Sequence, residues 1–90
     1  MDRTEFIRML EKEGYETFVT VEREPHAALG LHSHPFEARA LILQGELKLV
    51  VGEQEQVCRI GDQFHLAAHI PHSEVYGDEG VRYLVGRKPG

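Results

Sequence analysis

The chain has 90 residues, of which 41% are hydrophobic, and fifteen acidic against ten basic residues give a formal charge of -5. A chain of this length builds one small core, so we expect a single domain over residues 1–90. Lysine and arginine form no cluster larger than the pair Arg87 and Lys88, so we expect no nucleic acid partner. No apolar run approaches the roughly 18 residues of a membrane helix and the first residues do not resemble a secretory signal, so we expect no membrane partner and a cytoplasmic protein.

The first part of the chain predicts a short packing helix over residues 1–14. Asp2 can cap this helix, Gly14 can end it, and its apolar stripe consists of Phe6, Met9 and Leu10. Residues 16–23, with the sequence ETFVTVER, are rich in β-branched and aromatic side chains that alternate with polar ones. This pattern predicts the first strand.

Short strands separated by glycine turns are predicted for the rest of the chain. They cover residues 40–43, 47–51, 56–60, 63–66, 72–76 and 81–85. The sequence GDEG predicts a turn between the last two strands, and the tail RKPG is expected to fray. Seven or eight short strands after one helix, with no helical pattern between them, predict an all-β sandwich or barrel over residues 16–86.

Two histidines mark the segment LHSHPFEARALILQG as a candidate metal site. If this segment is extended, His32 and His34 point to the same face with their Cα atoms about 6.6 Å apart, and both can bind one ion. The distant His72 can add a third imidazole, and Glu37 can add a carboxylate. The alternative is a pair of surface histidines at a turn. Cys58 is the only cysteine, which excludes a multi-cysteine zinc site.

The source of the carboxylate is open between two residues. Glu37 follows His34 closely, but the intervening proline can interrupt the pleat, so its face cannot be read from the spacing. Glu74 lies two residues after His72 and shares its face in an extended segment, which makes it a candidate fourth ligand or catalytic general base. His65 alternates with core residues and is expected to point away from the interior.

The order of these motifs resembles that of the cupin family, which are small double-sheet jelly rolls. The first cupin motif is matched by His32, His34, Glu37 and Gly45, with Gly30 nearer the histidines than the family's usual glycine. The second motif is matched by Gly61, Asp62 and His72. The resemblance implies a double-stranded β-helix barrel preceded by a short N-terminal helix. The metal-binding glutamate of the family usually stands seven residues before the closing glycine, where this chain has Ala38, so Glu37 is one residue early.

The resemblance also implies a function. A divalent ion (Zn, Ni, Fe or Mn) would be held by His32, His34 and His72, with Glu37 or Glu74 as carboxylate, and would act on a small-molecule substrate. Cupins include dioxygenases, isomerases and lyases, and an open position on the ion suits such reactions. The alternatives are a non-catalytic module that binds or senses a small molecule, and a barrel that has lost its metal. Exposed strand edges and apolar surface predict a homodimer.

Overall fold

The computed structural model describes residues 1–90 and contains one helix and six strands. The elements are α1 (Arg3–Lys12), β1 (Thr17–Arg23), β2 (Ala28–His32), β3 (Phe36–Val51), β4 (Gln54–Arg59), β5 (Gln63–Leu66) and β6 (His72–Pro89). None of its helical segments has the length and hydropathy of a membrane span. The cytoplasmic location and the homodimer expected from the sequence stay predictions.

The two long strands β3 and β6 organise the barrel, because they pair with each other along most of their length and bend together. In one half of the molecule the strand order is β1-β6-β3-β5, and in the other half it is β2-β6-β3-β4, with every pairing antiparallel. Side chains from both halves meet in one core of 12 buried residues. Two four-stranded layers around a shared core form a jelly roll. The predicted all-β jelly-roll barrel with a short N-terminal helix is confirmed.

The bend of the two long strands lies where two glycines meet. Gly45 and Gly80 have φ angles of 79° and 73°, and a Cβ atom on Gly45 would overlap the carbonyl oxygen of Gly80. Only glycine permits this conformation and this approach. The prediction of a separate strand on either side of each turn is wrong, because β3 and β6 each run through the bend, where their pairing shifts register and leaves residues 77–80 of β6 without a partner in β3. The predicted pairs 40–43 with 47–51 and 72–76 with 81–85 are each one strand.

The C-terminal tail was expected to fray, and this prediction is also wrong. Arg87 lies opposite Ala38 of β3 on one side and Thr17 of β1 on the other, and the pairing with β3 continues to Pro89. Backbone hydrogen bonds to neighbouring strands therefore outweigh the turn preference of the proline and glycine. The tail forms part of the barrel wall.

Helix α1 covers the outer face of one layer, as its apolar stripe predicts. The Asp2 carboxylate caps it by accepting a hydrogen bond of 2.9 Å from the backbone N–H of Glu5. The helix packs in a second apolar cluster, outside the barrel, which consists of Phe6, Leu10, Tyr15, Leu41 and Leu84. Because the helix lies outside, the interior of the barrel is left to the main core and to the histidines.

Candidate metal centre

Three histidines from different parts of the chain meet at one end of the barrel. His32 ends β2, His34 follows it in the short connection to β3, and His72 begins β6 directly opposite His32. The ring centroids of His32 and His72 are 4.2 Å apart, and one ligand nitrogen from each of the three rings lies within 4.8 Å of the others. The structure thus brings together the three histidines that the sequence analysis selected.

Hydrogen bonds fix the orientation of two of these rings. The Nδ1 atom of His32 is 2.6 Å from the carbonyl oxygen of Gly30, and that of His72 is 2.9 Å from the carbonyl oxygen of Ile70. A carbonyl oxygen can only accept, so in the neutral form of each ring the proton is on Nδ1 and Nε2 offers its lone pair. Backbone carbonyls orient metal-binding histidines in this way.

The Nε2 atom of His32 is buried and has no hydrogen-bond partner. Most buried polar atoms are hydrogen-bonded, so a buried acceptor without a donor indicates a missing partner. A metal ion is such a partner, because neutral imidazole nitrogens bind divalent first-row metals. The histidines therefore fit a metal ion.

Electrostatics keep the third histidine available as a ligand. Burial, the neighbouring His32 and His72 rings and the positive charge of Arg87 lower the pKa of His34 below its ordinary value of 6.5. The His34 ring is therefore neutral at neutral pH, which is the form that binds a metal.

Glu74 is the carboxylate that the structure places beside the histidines. It is 5% exposed, and its Oε2 atom lies 3.7 Å from Nε2 of both His32 and His72. Its Oε1 atom accepts a hydrogen bond of 3.4 Å from the Tyr76 hydroxyl. Burying a carboxylate is costly unless cations or donors surround it. Three imidazoles and one carboxylate form a donor set that suits Zn, Ni, Fe or Mn.

Glu37, the other predicted carboxylate, lies on the opposite face of β3 and is not brought to the histidines. Its Oε2 atom accepts a hydrogen bond of 3.2 Å from the Tyr15 hydroxyl and pairs with Nε2 of His65. The His65 hydrogen bond is the main cause that lowers the pKa of Glu37 below 4.5. Because adjacent strand residues face opposite ways, Ala38 faces the interior while Glu37 faces outward.

A cavity of about 40 Å³ adjoins the histidines. Its wall contains His34, Phe36, Ala38, Phe64, Leu66, His72, Glu74, Tyr83, Val85 and Arg87. A cavity needs about 10–15 Å³ to hold one water molecule, so this one has room for only a few. The inner part of the site therefore admits only a very small chemical group.

Arg87 is the site residue that the sequence analysis missed. It lines the cavity, and its guanidinium carbon lies 4.8 Å from the centroid of the Phe36 ring. The sequence pattern that indicates its position is the alternation of Val81, Tyr83 and Val85. If this alternation continues for two more residues, Arg87 lies on the same inner face of the strand. The expectation that the tail frays hid this signal.

His69 lies near the site without joining the cluster. It is exposed and has a positive φ of 66°, and its backbone N–H donates a hydrogen bond of 2.7 Å to the carbonyl oxygen of His34. Its contribution is therefore to hold the backbone of a candidate ligand.

Comparison with known proteins shows a consistent set of similarities. A family model described as "Cupin domain" matches residues 19–86. A conserved protein of unknown function from Streptococcus pyogenes is 26% identical, with a TM-score of 0.68 over 81% of this chain and 64% of that chain. KdgF from Halomonas sp. is 19% identical, with a TM-score of 0.72 over 81% of this chain and 68% of that chain.

A variant of oxalate decarboxylase from Bacillus subtilis shares the fold within a much longer protein. It is 24% identical, with a TM-score of 0.75 over 93% of this chain and 24% of that chain. This chain therefore spans about two thirds of the length of the two shorter proteins and about a quarter of the decarboxylase. No curated protein sequence matches it.

Proposed function

This chain belongs to the cupin family, and we propose that it binds one divalent metal ion through His32, His34, His72 and Glu74. The observation that carries this proposal is the buried Nε2 atom of His32, which lacks a hydrogen-bond partner. Oε2 of Glu74 lies 3.7 Å from this atom and from Nε2 of His72. The solved oxalate decarboxylase from Bacillus subtilis, at 25% identity, is described as having Mn(II) centres. This likeness supports Mn among the candidate ions.

The proposed carboxylate ligand differs in its origin from the usual cupin arrangement. Ala38 stands where the family's glutamate is expected, and its side chain faces the cavity without an oxygen to offer. Glu74 approaches the histidines from β6 instead and is buried against them. We propose that the carboxylate has moved from β3 to the neighbouring β6, with the three histidines unchanged.

The site suits a reaction on a small polar molecule, of the dioxygenase, isomerase or lyase type. The bound ion would supply positive charge that polarises an oxygen of the substrate. The Tyr76 hydroxyl donates to Oε1 of Glu74 and orients the carboxylate, which leaves Oε2 free to bind the ion or to take a proton. The apolar side chains of the cavity leave little room for water around this centre.

Elemental analysis of protein purified without a histidine tag tests the metal. We expect close to one ion per chain in wild type and a loss of metal in His72→Ala. His69→Asn is the matched control, because residue 69 has a positive φ that asparagine tolerates and its side chain is exposed. Wild-type protein that stays free of metal after incubation with Zn, Ni, Fe and Mn would contradict the proposal.

A turnover assay tests the enzyme separately from the metal. The metal-loaded protein is incubated with small acids, sugars and enols, with and without oxygen, and the products are identified by mass spectrometry. Product formation that is lost in Glu74→Gln, assayed at a metal concentration that saturates the variant, supports catalysis. Tight binding without any product would instead favour a non-catalytic binding or sensing module.

A further inference from the structure

We infer that Arg87 recognises the ligand of this cavity and that the ligand carries a carboxylate group. The inference rests on the proposed metal site, since it names the class of molecule that binds beside the ion. It goes further in assigning a residue at the opposite end of β6 from His72.

The first argument is the unpaired state of the Arg87 guanidinium. Two buried side-chain polar atoms in the protein lack a hydrogen-bond partner, Nε2 of His32 and Nε of Arg87. Arg87 also takes part in none of the ion pairs of the chain. The two unsatisfied atoms belong to the same site: Nε2 of His32 can accept a hydrogen bond, and Nε of Arg87 can donate one.

The second argument is the position of Arg87 between the surface and the histidines. With Phe36 it lines the inner cavity and also an open outer depression of about 310 Å³. The guanidinium lies over the Phe36 ring, and this ring stacks on His34 with 4.8 Å between centroids and 14° between planes. A ligand that enters from the depression therefore meets Arg87 before it reaches His34.

The third argument is charge. A divalent ion brings two positive charges and Arg87 brings a third, whereas Glu74 is the one acidic residue in the cavity wall. Lys88 adds positive charge to the outer depression, although its Nζ donates a hydrogen bond of 2.8 Å to the carbonyl oxygen of Glu13. The metal-loaded site would therefore carry net positive charge and favour an anion over a neutral molecule.

Geometry favours a carboxylate among small anions. The Nε–H and one Nη–H of a guanidinium form a planar fork that matches the two oxygens of a carboxylate. A planar group with two oxygens suits the narrow inner cavity of about 40 Å³ better than a tetrahedral phosphate does. The rest of the ligand would occupy the outer depression.

The test is an NMR titration of the Zn²⁺-loaded protein with propionate, propionamide and inorganic phosphate, which suits weak binding. Wild type should bind propionate more tightly than the other two, and Arg87→Gln should weaken propionate binding about tenfold or more. The propionate affinity of Arg87→Lys should lie between those of wild type and Arg87→Gln, because an ammonium group keeps the charge but lacks the planar fork. Arg82→Gln is the control, since Arg82 is an exposed arginine of the same strand that pairs with Glu22.

The inference would be overturned if wild type and Arg87→Gln bound propionate with equal affinity. It would also be overturned if wild type bound propionamide or phosphate as tightly as propionate. Metal content is measured in every variant, so a failure of the metal site is seen separately. If wild type holds no metal, the same titration of the metal-free protein decides. Propionate binding that is lost in Arg87→Gln then supports the inference, and unchanged or absent binding overturns it.

Discussion

Replacing each candidate carboxylate by its amide tests whether Glu74 or Glu37 belongs to the metal centre. Glu74→Gln and Glu37→Gln remove one negative charge each, keep the volume of the side chain and leave an oxygen in place. Oε2 of Glu74 lies 3.7 Å from two histidine nitrogens, whereas Oε2 of Glu37 pairs with Tyr15 and His65 on the outer face of β3. The pair of variants therefore separates the two faces of the barrel.

The size of the effect follows from the distance. Two unit charges about 4 Å apart attract by about 4 kcal/mol at an effective dielectric constant of about 20, and each 1.4 kcal/mol corresponds to a factor of about ten in affinity. Rearrangement and water entry around Glu74 reduce this value. We expect Glu74→Gln to weaken metal binding about 100-fold, and Glu37→Gln to leave it within about threefold of wild type, since a distant exposed charge contributes little.

Competition with a chromophoric chelator measures both affinities under the same buffer conditions. Circular dichroism of the metal-free proteins shows that each variant is folded, so that a loss of affinity is not a loss of structure. If Glu37→Gln lost metal as strongly as Glu74→Gln, or if Glu74→Gln kept the affinity of wild type, the assignment of the carboxylate to β6 would be wrong.

Three further predictions concern stability. In urea unfolding, Gly45→Ala should lower the free energy of unfolding by about 3 kcal/mol, because the cost of the positive φ and that of the overlap with Gly80 add. Gly52 also has a positive φ but open space around it, so Gly52→Ala should lower it by about 1 kcal/mol. Equal losses in the two variants would refute the role of the close approach. The pKa of Glu37 in the folded protein lies below 4.5. The difference in unfolding free energy between wild type and Glu37→Gln should therefore be constant above about pH 5 and shrink as the pH falls through this pKa. A difference that grows in acid would contradict this prediction. Burial raises the pKa of all three tyrosines, that of Tyr15 to about 12, so absorbance at pH 10 should show less phenolate in the folded than in the unfolded protein. The unfolding free energy should therefore fall as pH rises above 10. Equal phenolate fractions in the folded and unfolded protein would contradict this.

Local sequence patterns were sufficient for the class of fold and for the three histidines. Alternation and glycine turns predicted the strands, and His32, His34 and His72 stood out because their spacing matches a known motif. The continuity of β3 and β6 could not be read in this way, since it depends on the pairing of the two strands with each other on both sides of the bend at Gly45 and Gly80. Glycine has the same local signature in a turn and in a bend between two layers.

The carboxylate shows where local reading reaches its end. Glu37 and Ala38 differ by one position, and only the pairing of β3 with β5 and β6 decides which of them faces the interior. Glu74 was a candidate by parity, because it follows His72 by two residues in one strand, and the structure places its carboxylate beside the histidines. Arg87 needed the same parity argument and was passed over because proline and glycine near a terminus ordinarily indicate disorder.

The long strand β6 has a consequence for how the site forms. His72 stands at its beginning and Arg87 near its end, and both line one cavity because the strand is bent between them. An ion held by His34 and His72 would join segments that are distant in sequence, which is the role of a disulfide in other small proteins. This chain has one cysteine, so a metal would serve as its removable cross-link. Metal at 100 times its dissociation constant would then raise the free energy of unfolding by about 2.7 kcal/mol.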